Sequence, residues 1–217
     1  MVTKMDNDPA CPGAQGGGMV RDVRLATVNR VARLFAAGEP GLARLHRISD
    51  GGVELSSILD LQIGQMVLLD LSETVSMRAT VIARDGKRYD LAFEQKVNCA
   101  ELLRQLVAEA RSSRARPLRL TTQPMRANGR SLKGVHQLEL EDISQRGMKV
   151  RHDGSFQPGL RVSIQLPNGR DCRGIVQWTD ERRAGLQLLD ILSTDELGSV
   201  SRLCAIPIQL ADVRDGS

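Results

Sequence analysis

Aromatic residues are scarce in this chain: one Trp, one Tyr and three Phe in 217 residues. Proteins that hold single-stranded nucleic acid stack bases on aromatic platforms, so nucleic acid is not an expected partner. Cores must instead be built from Leu, Val, Ile, Ala and Met. Cysteine is also sparse. Cys11, Cys99, Cys172 and Cys204 form no CxxC pair, and no His lies at ligand spacing from them. Free thiols in a reducing cytoplasm follow, with neither a metal nor another cofactor expected. No run reaches the ~18 apolar residues that cross a bilayer, so membrane insertion is not expected. Met1 to Gly18 is polar and Gly-rich and lacks the apolar centre of a signal peptide, so residues 1–19 read as a disordered tail. His46, His136 and His152 accompany no nucleophile or carboxylate pattern, and no Gly-rich phosphate loop is present. An enzyme is therefore not expected, and no catalytic residue is assigned.

What is present is a duplication. Ile48-Ser49-Asp50-Gly51-Gly52-Val53 and Ile143-Ser144-Gln145-Arg146-Gly147-Met148 are versions of one motif, 95 positions apart. The same offset relates Arg21-x-x-Arg24-Leu25 to Arg116-x-x-Arg119-Leu120, Gly64 to Gly159, Arg78 to Arg173 and Phe93 to Leu188. It also relates Asn98 to Leu102 with Ser193 to Leu197. Two domains of similar size follow.

Each copy reads as short strands followed by a helix. In the second copy the strands are expected at 118–125, 135–143, 148–151, 161–166, 172–178 and 184–189, with a turn beginning at Asn128-Gly129 and another at Pro167-Asn168-Gly169. Six short strands with frequent turns suggest a small antiparallel barrel or sandwich. Asn98 with Glu101, and Ser193 with Glu196, read as capping signals for a helix closing each copy. The boundaries are 1–19 for the tail, 20–110 for the first unit, 111–117 for an Arg-rich linker and 118–212 for the second unit. The excess of 30 Lys and Arg over 26 Asp and Glu suits an anionic ligand.

The second copy places Asp142-Ile143-Ser144-Gln145-Arg146-Gly147 ahead of Gly159, Val176-Gln177-Trp178 and Gly185-Leu186-Gln187-Leu188. This order resembles the PilZ domains, and the resemblance covers nearly all of both repeats. It implies mainly β structure: two tandem six-stranded antiparallel barrels, each followed by a C-terminal helix. It also implies a function, because many PilZ domains bind the bacterial second messenger cyclic di-GMP. On that resemblance the ligand-binding residues are Arg111, Arg114 and Arg116 as a clamp, with Asp142, Ser144 and Gly147 on the barrel. Arginine can clamp phosphate bidentately and stack on guanine. Asp142 can accept hydrogen bonds from the guanine edge, Ser144 can contact the ligand or brace the loop, and Gly147 permits close approach.

The sequence departs from the family at the clamp. Binding members carry Arg-x-x-x-Arg just before the first strand, whereas Arg111, Arg114 and Arg116 are spaced by three and two. The Arg-x-x-x-Arg at Arg126 to Arg130 falls after the expected first strand, in a hairpin turn. In the first copy Arg47 stands where the second has Asp142, an acceptor replaced by a donor, so that unit reads as degenerate and non-binding. Trp178 reads as core or barrel-edge packing. The chain is thus expected to be a cytoplasmic cyclic di-GMP receptor that signals to an effector protein through domain rearrangement about the linker. The alternative is a PilZ-like interaction module that has lost the nucleotide.

Overall fold

The structure, a computed structural model, describes residues 26–112 and 116–205. Arg21, Arg24 and Arg114, and the tail expected over residues 1–19, lie outside these residues. The first unit contains β1 (Ala26–Ala36), β2 (Glu39–Ile48), β3 (Gly52–Ser56), β4 (Met66–Asp70), β5 (Ser76–Asp85), β6 (Arg88–Phe93) and α1 (Cys99–Arg111). The second contains β7 (Leu120–Ser131), β8 (Gly134–Ser144), β9 (Gly147–Arg151), β10 (Arg161–Gln165), β11 (Asp171–Asp180), β12 (Arg183–Leu188) and α2 (Val200–Cys204). Each set of six strands closes into an antiparallel barrel, in the orders β1-β2-β3-β6-β5-β4 and β7-β8-β9-β12-β11-β10. The two orders are one topology written twice, as the 95-residue offset requires. Bulges recur at matching places: between Leu45 and Arg47 as between Leu140 and Asp142, and between Val81 and Ala83 as between Val176 and Trp178.

Alternation along the strands fills each barrel with aliphatic side chains, as the shortage of aromatics demanded. Leu34, Leu45, Leu55, Leu69 and Leu91 centre the first core, and Leu120, Leu140, Ile143, Val150 and Ile164 the second. Helix α1 starts where expected. The Asn98 side chain accepts from the Glu101 amide at 3.1 Å, and the Asp50 carboxylate accepts from the Cys99 amide at 2.9 Å. Leu102 and Leu106 then cover the end of the first barrel.

Two local expectations need correction. Asn128-Gly129 does not begin a turn. It lies inside β7, whose hairpin turns at Leu132-Lys133, so Arg126 and Arg130 are strand residues with exposed side chains. A side chain at Gly129 would come within 2.8 Å of Leu138, so this glycine makes room for the barrel interior rather than bending the chain. The second capping box also forms, with the Ser193 amide donating to Glu196 at 2.8 Å and the Glu196 amide to Ser193 at 3.1 Å. It closes a turn, however. Helix α2 begins only after Ser199, which accepts from the Arg202 amide at 3.2 Å.

The delay at Gly198 has a cause in the first barrel. A Cβ on Gly198 would lie 2.3 Å from Ile58, and one on Gly41 would lie 1.9 Å from the Gly198 carbonyl oxygen. The two backbones touch here. Beside them Leu42 projects outward from β2 yet is buried among the core residues of the second unit, and its amide donates to the Leu197 carbonyl at 2.8 Å. Glu39 accepts from the Ser199 hydroxyl and, at 3.3 Å, from the Ser201 amide. Burial alone would raise the Glu39 carboxyl, but these hydrogen bonds hold it below the usual range.

Candidate functional site

The Asp142 region lies where β8 gives way to β9. The Arg119 guanidinium, on the residue just before β7, donates to the Asp142 carboxylate at 2.5 Å. The acceptor assigned to a ligand is thus held by an arginine of the same barrel. Ser144 is fully buried, and its hydroxyl donates to the Gly147 carbonyl at 3.2 Å. Ser49 does the same for Gly52 at 3.1 Å. In both copies, therefore, the serine braces the turn. Gly147 admits the neighbouring strand: a Cβ there would lie 3.1 Å from the Leu186 carbonyl oxygen and 3.8 Å from Arg119.

Arg119, Ser144 and Gly147 border a cleft of about 250 Å³ that Arg146, Trp178, Gly185 and Gln187, among others, also line. Trp178 is not in the core. It pairs with Gly185 across β11 and β12, remains 44% exposed, and lies so flat on Gly185 that a Cβ there would come within 2.1 Å of the indole nitrogen. Trp178 and Gly185 both line the cleft. Arg146 has no ion pair among the described residues. Further along the barrel wall, Lys149, Arg151 and Arg183 converge on Glu141 at 3.0, 3.4 and 2.9 Å, a cluster that one carboxylate leaves with a net positive charge. Burial would raise the Glu141 carboxyl, but hydrogen bonds from Lys149 and Arg183 outweigh it and hold it below the usual range. The cleft thus offers a partly exposed indole, the Arg146 guanidinium without an ion pair among the described residues, and, through Arg119, an Arg–Asp pair at its edge.

The two linker arginines among the described residues do not gather there. Arg111 ends α1 and faces a shallow groove with Leu103 and Val107. Arg116 lines a different cleft, about 710 Å³, between the barrels, with Arg30, Glu73, Glu109 and Gln145. Sequence reasoning missed Arg119, Arg146 and Trp178 as cleft residues. Signals existed: Arg119 repeats Arg24 directly before the first strand, Arg146 sits inside the Ser-x-x-Gly turn, and Trp178 faces a glycine.

The first copy has not simply lost its acid. Arg47 pairs in register with Glu54, at 3.5 Å between the charges, where the second copy pairs Asp142 with Lys149. The acid has moved to the neighbouring strand, and Arg88 holds it too at 3.1 Å.

Residues 110–205, which take in the second barrel with the segments leading into and out of it, match the family model described as the PilZ domain. The first barrel repeats its topology. Comparison with curated proteins finds no match. Among solved structures, the chain is similar to the Borreliella burgdorferi PlzA protein in complex with c-di-GMP, at 10% identity over 76% of this chain and 83% of that one, with a TM-score of 0.36. It is similar to the Bacillus subtilis inhibitor of motility (MotI/DgrA) at 16% identity over 82% and 96%, TM-score 0.32. It is also similar to Escherichia coli YcgR in complex with c-di-GMP at 14% identity over 76% and 77%, TM-score 0.32.

Proposed function

We propose that this protein is a receptor for cyclic di-GMP and that the second barrel holds the ligand in the cleft beside Asp142. The observation that carries the reading is the PilZ match over residues 110–205, on a barrel whose cleft brings Arg119, Arg146 and Trp178 together. A phosphodiester of the ligand draws the Arg119 guanidinium away from Asp142. The freed carboxylate then accepts from the guanine edge, while Trp178 or an arginine plane stacks on the base. Arg146 supplies the second cation. Arg111, Arg114 and Arg116 close over the ligand from the connector, with Ser144 and Gly147 keeping the turn in shape.

The ligand signal leaves through the first barrel. Arg33, paired with the buried Asp70 at 2.8 Å, donates to the Arg119 carbonyl at 2.7 Å, so a shift of Arg119 is felt by β1. The domains then rearrange toward an effector only as far as the ligand's differential affinity for the two arrangements allows.

Isothermal titration of the full chain tests this. Binding is expected, and Arg146→Ala weakens it by about 1.5–3 kcal/mol, the range for a hydrogen bond to a charged group. No heat at tens of micromolar protein and ligand overturns the reading. One observation favours the second reading, a non-nucleotide-binding interaction module: Asp142 and Ser144 are both satisfied internally, by Arg119 and Gly147. In that case the titration is silent.

A further inference from the structure

Four of the large apolar side chains left exposed lie on one face of the first barrel: Ile63, Met66, Leu68 and Ile82, with exposures of 68, 63, 38 and 57%. The strand register makes them neighbours. Met66 pairs with Thr80 and Leu68 with Arg78, and Ile82 sits in the bulge just beyond Val81. The Gly64 amide donates to the Val81 carbonyl at 2.8 Å, which brings Ile63 to the same end. Leu68 pairs on its other side with the half-buried Phe35 of β1. A continuous apolar strip therefore crosses β1, β4 and β5.

The duplication shows that the fold does not require this strip. At the offset of 95, Phe35 corresponds to Arg130, Met66 to Arg161, Leu68 to Ser163 and Ile82 to Gln177. The same face of the second barrel is polar and basic. Scattered exposed apolar residues need no explanation, but a contiguous set does.

We propose that this strip is a dimer interface, covered by the same strip of a second copy of the chain. The charges around it select that occupant. Arg33 is paired with Asp70 at 2.8 Å and Arg84 with Asp60 at 2.6 Å, so these cations are neutralised within one copy. Arg78 makes no ion pair among the described residues, and Glu94, whose amide donates to the Arg78 carbonyl at 3.1 Å, places an acid beside it. One base and one acid at the rim are self-complementary under a two-fold axis, which sets the Arg78 of each copy toward the Glu94 of the other. An anionic bilayer would instead require a basic rim. On the equivalent face of the second barrel Arg130, Arg161, Ser163 and Gln177 replace the strip and the exposed Leu189 stands only at the rim, so head-to-tail stacking lacks a matching apolar strip and the contact closes at two copies. A closed barrel has no free strand edge, so the contact is made by side chains rather than by strand addition.

Sedimentation equilibrium of the full chain, from low micromolar to a few hundred micromolar, tests the proposal without any nucleotide. A reversible monomer–dimer equilibrium is expected. Met66→Glu and Ile82→Glu should each weaken it at least tenfold, about 1.4 kcal/mol, while the thermal midpoint of dilute, monomeric protein stays put because both side chains are exposed in the single copy. Leu132→Glu, at the exposed hairpin tip of the second barrel, should leave the dimer unchanged. A protein that remains monomeric throughout, or a dimer that survives both strip substitutions, overturns the proposal.

Discussion

Leu42→Ala should destabilise a barrel that does not contain residue 42. Leu42 belongs to β2 of the first barrel, but it is 1% exposed because the second unit covers it. Removing three carbons leaves a void between the barrels. A buried Leu→Ala change costs 2–5 kcal/mol where the surroundings cannot relax. Here the barrels can part slightly and admit water, so the low end applies, about 2–3 kcal/mol. With a urea slope of about 2 kcal/mol/M for a chain of this size, the midpoint falls by roughly 1 M. Trp178 is the sole tryptophan and lies on the second barrel, so its fluorescence reports that barrel alone, while far-ultraviolet circular dichroism reports both. In the parent protein the two signals should coincide. In Leu42→Ala the Trp178 transition itself should move to lower urea. Gln137, the exposed equivalent of Leu42 in the second barrel, is the control: Gln137→Ala should stay within about 0.5 kcal/mol. A Trp178 transition unmoved by Leu42→Ala would refute the coupling of the barrels through this contact.

Three further outcomes can be checked. The His152 ring is buried against Phe156 with ring centroids 4.8 Å apart, and its Nε2 has no hydrogen-bond partner. Burial lowers its pKa below 6.5, so below about pH 6.5 the unfolded chain binds a proton that the folded one refuses. Its contribution is then lost as pH falls toward the lower folded value. Urea midpoints at pH 7.5 and 5.5 should differ less in His152→Gln than in the parent, and an unchanged difference refutes the assignment. Burial pushes the Cys172 thiol up to about 11, so peptide mapping after iodoacetamide treatment at pH 8 should find it unlabelled in the native protein, with the exposed Cys204 labelled. Gly185→Ala should eject the Trp178 indole from its seat, seen as a red shift and stronger iodide quenching of fluorescence. Spectra identical to the parent's would mean that the indole does not rest on that glycine.

The fold was legible because duplication made each weak signal count twice. Six alternating runs could mean a barrel or a sandwich, and the motif order, repeated in both copies, resolved the choice. What the sequence hid were effects of partners distant in the chain. Asn128-Gly129 looks like a turn by composition, yet the glycine serves Leu138 across the sheet. The box at Ser193 and Glu196 promised a helix, but contact of Gly198 with Gly41 and Ile58 delayed it. At the candidate site, Asp142 and Ser144 were named from the family resemblance, whereas the arginine that engages the acid was not. Arginines were sought in a family register before the strand, and Arg119 lies outside that register while its long side chain still reaches Asp142. Trp178 escaped because core and surface tryptophans look alike until the glycine opposite is placed by strand pairing.

The contact between Gly41, Leu42 and Gly198 also bears on how far such a chain could grow by copying itself. A repeat that docks through its own hairpin onto the turn of the next repeat is the seed of an open-ended array. Here the second repeat has Gln137 in place of Leu42 and His136, facing inward and buried, in place of Gly41. The plug is gone and the backbone can no longer approach so closely. A third copy appended to this chain would find no socket partner on the second, and would hang from it as an independent bead.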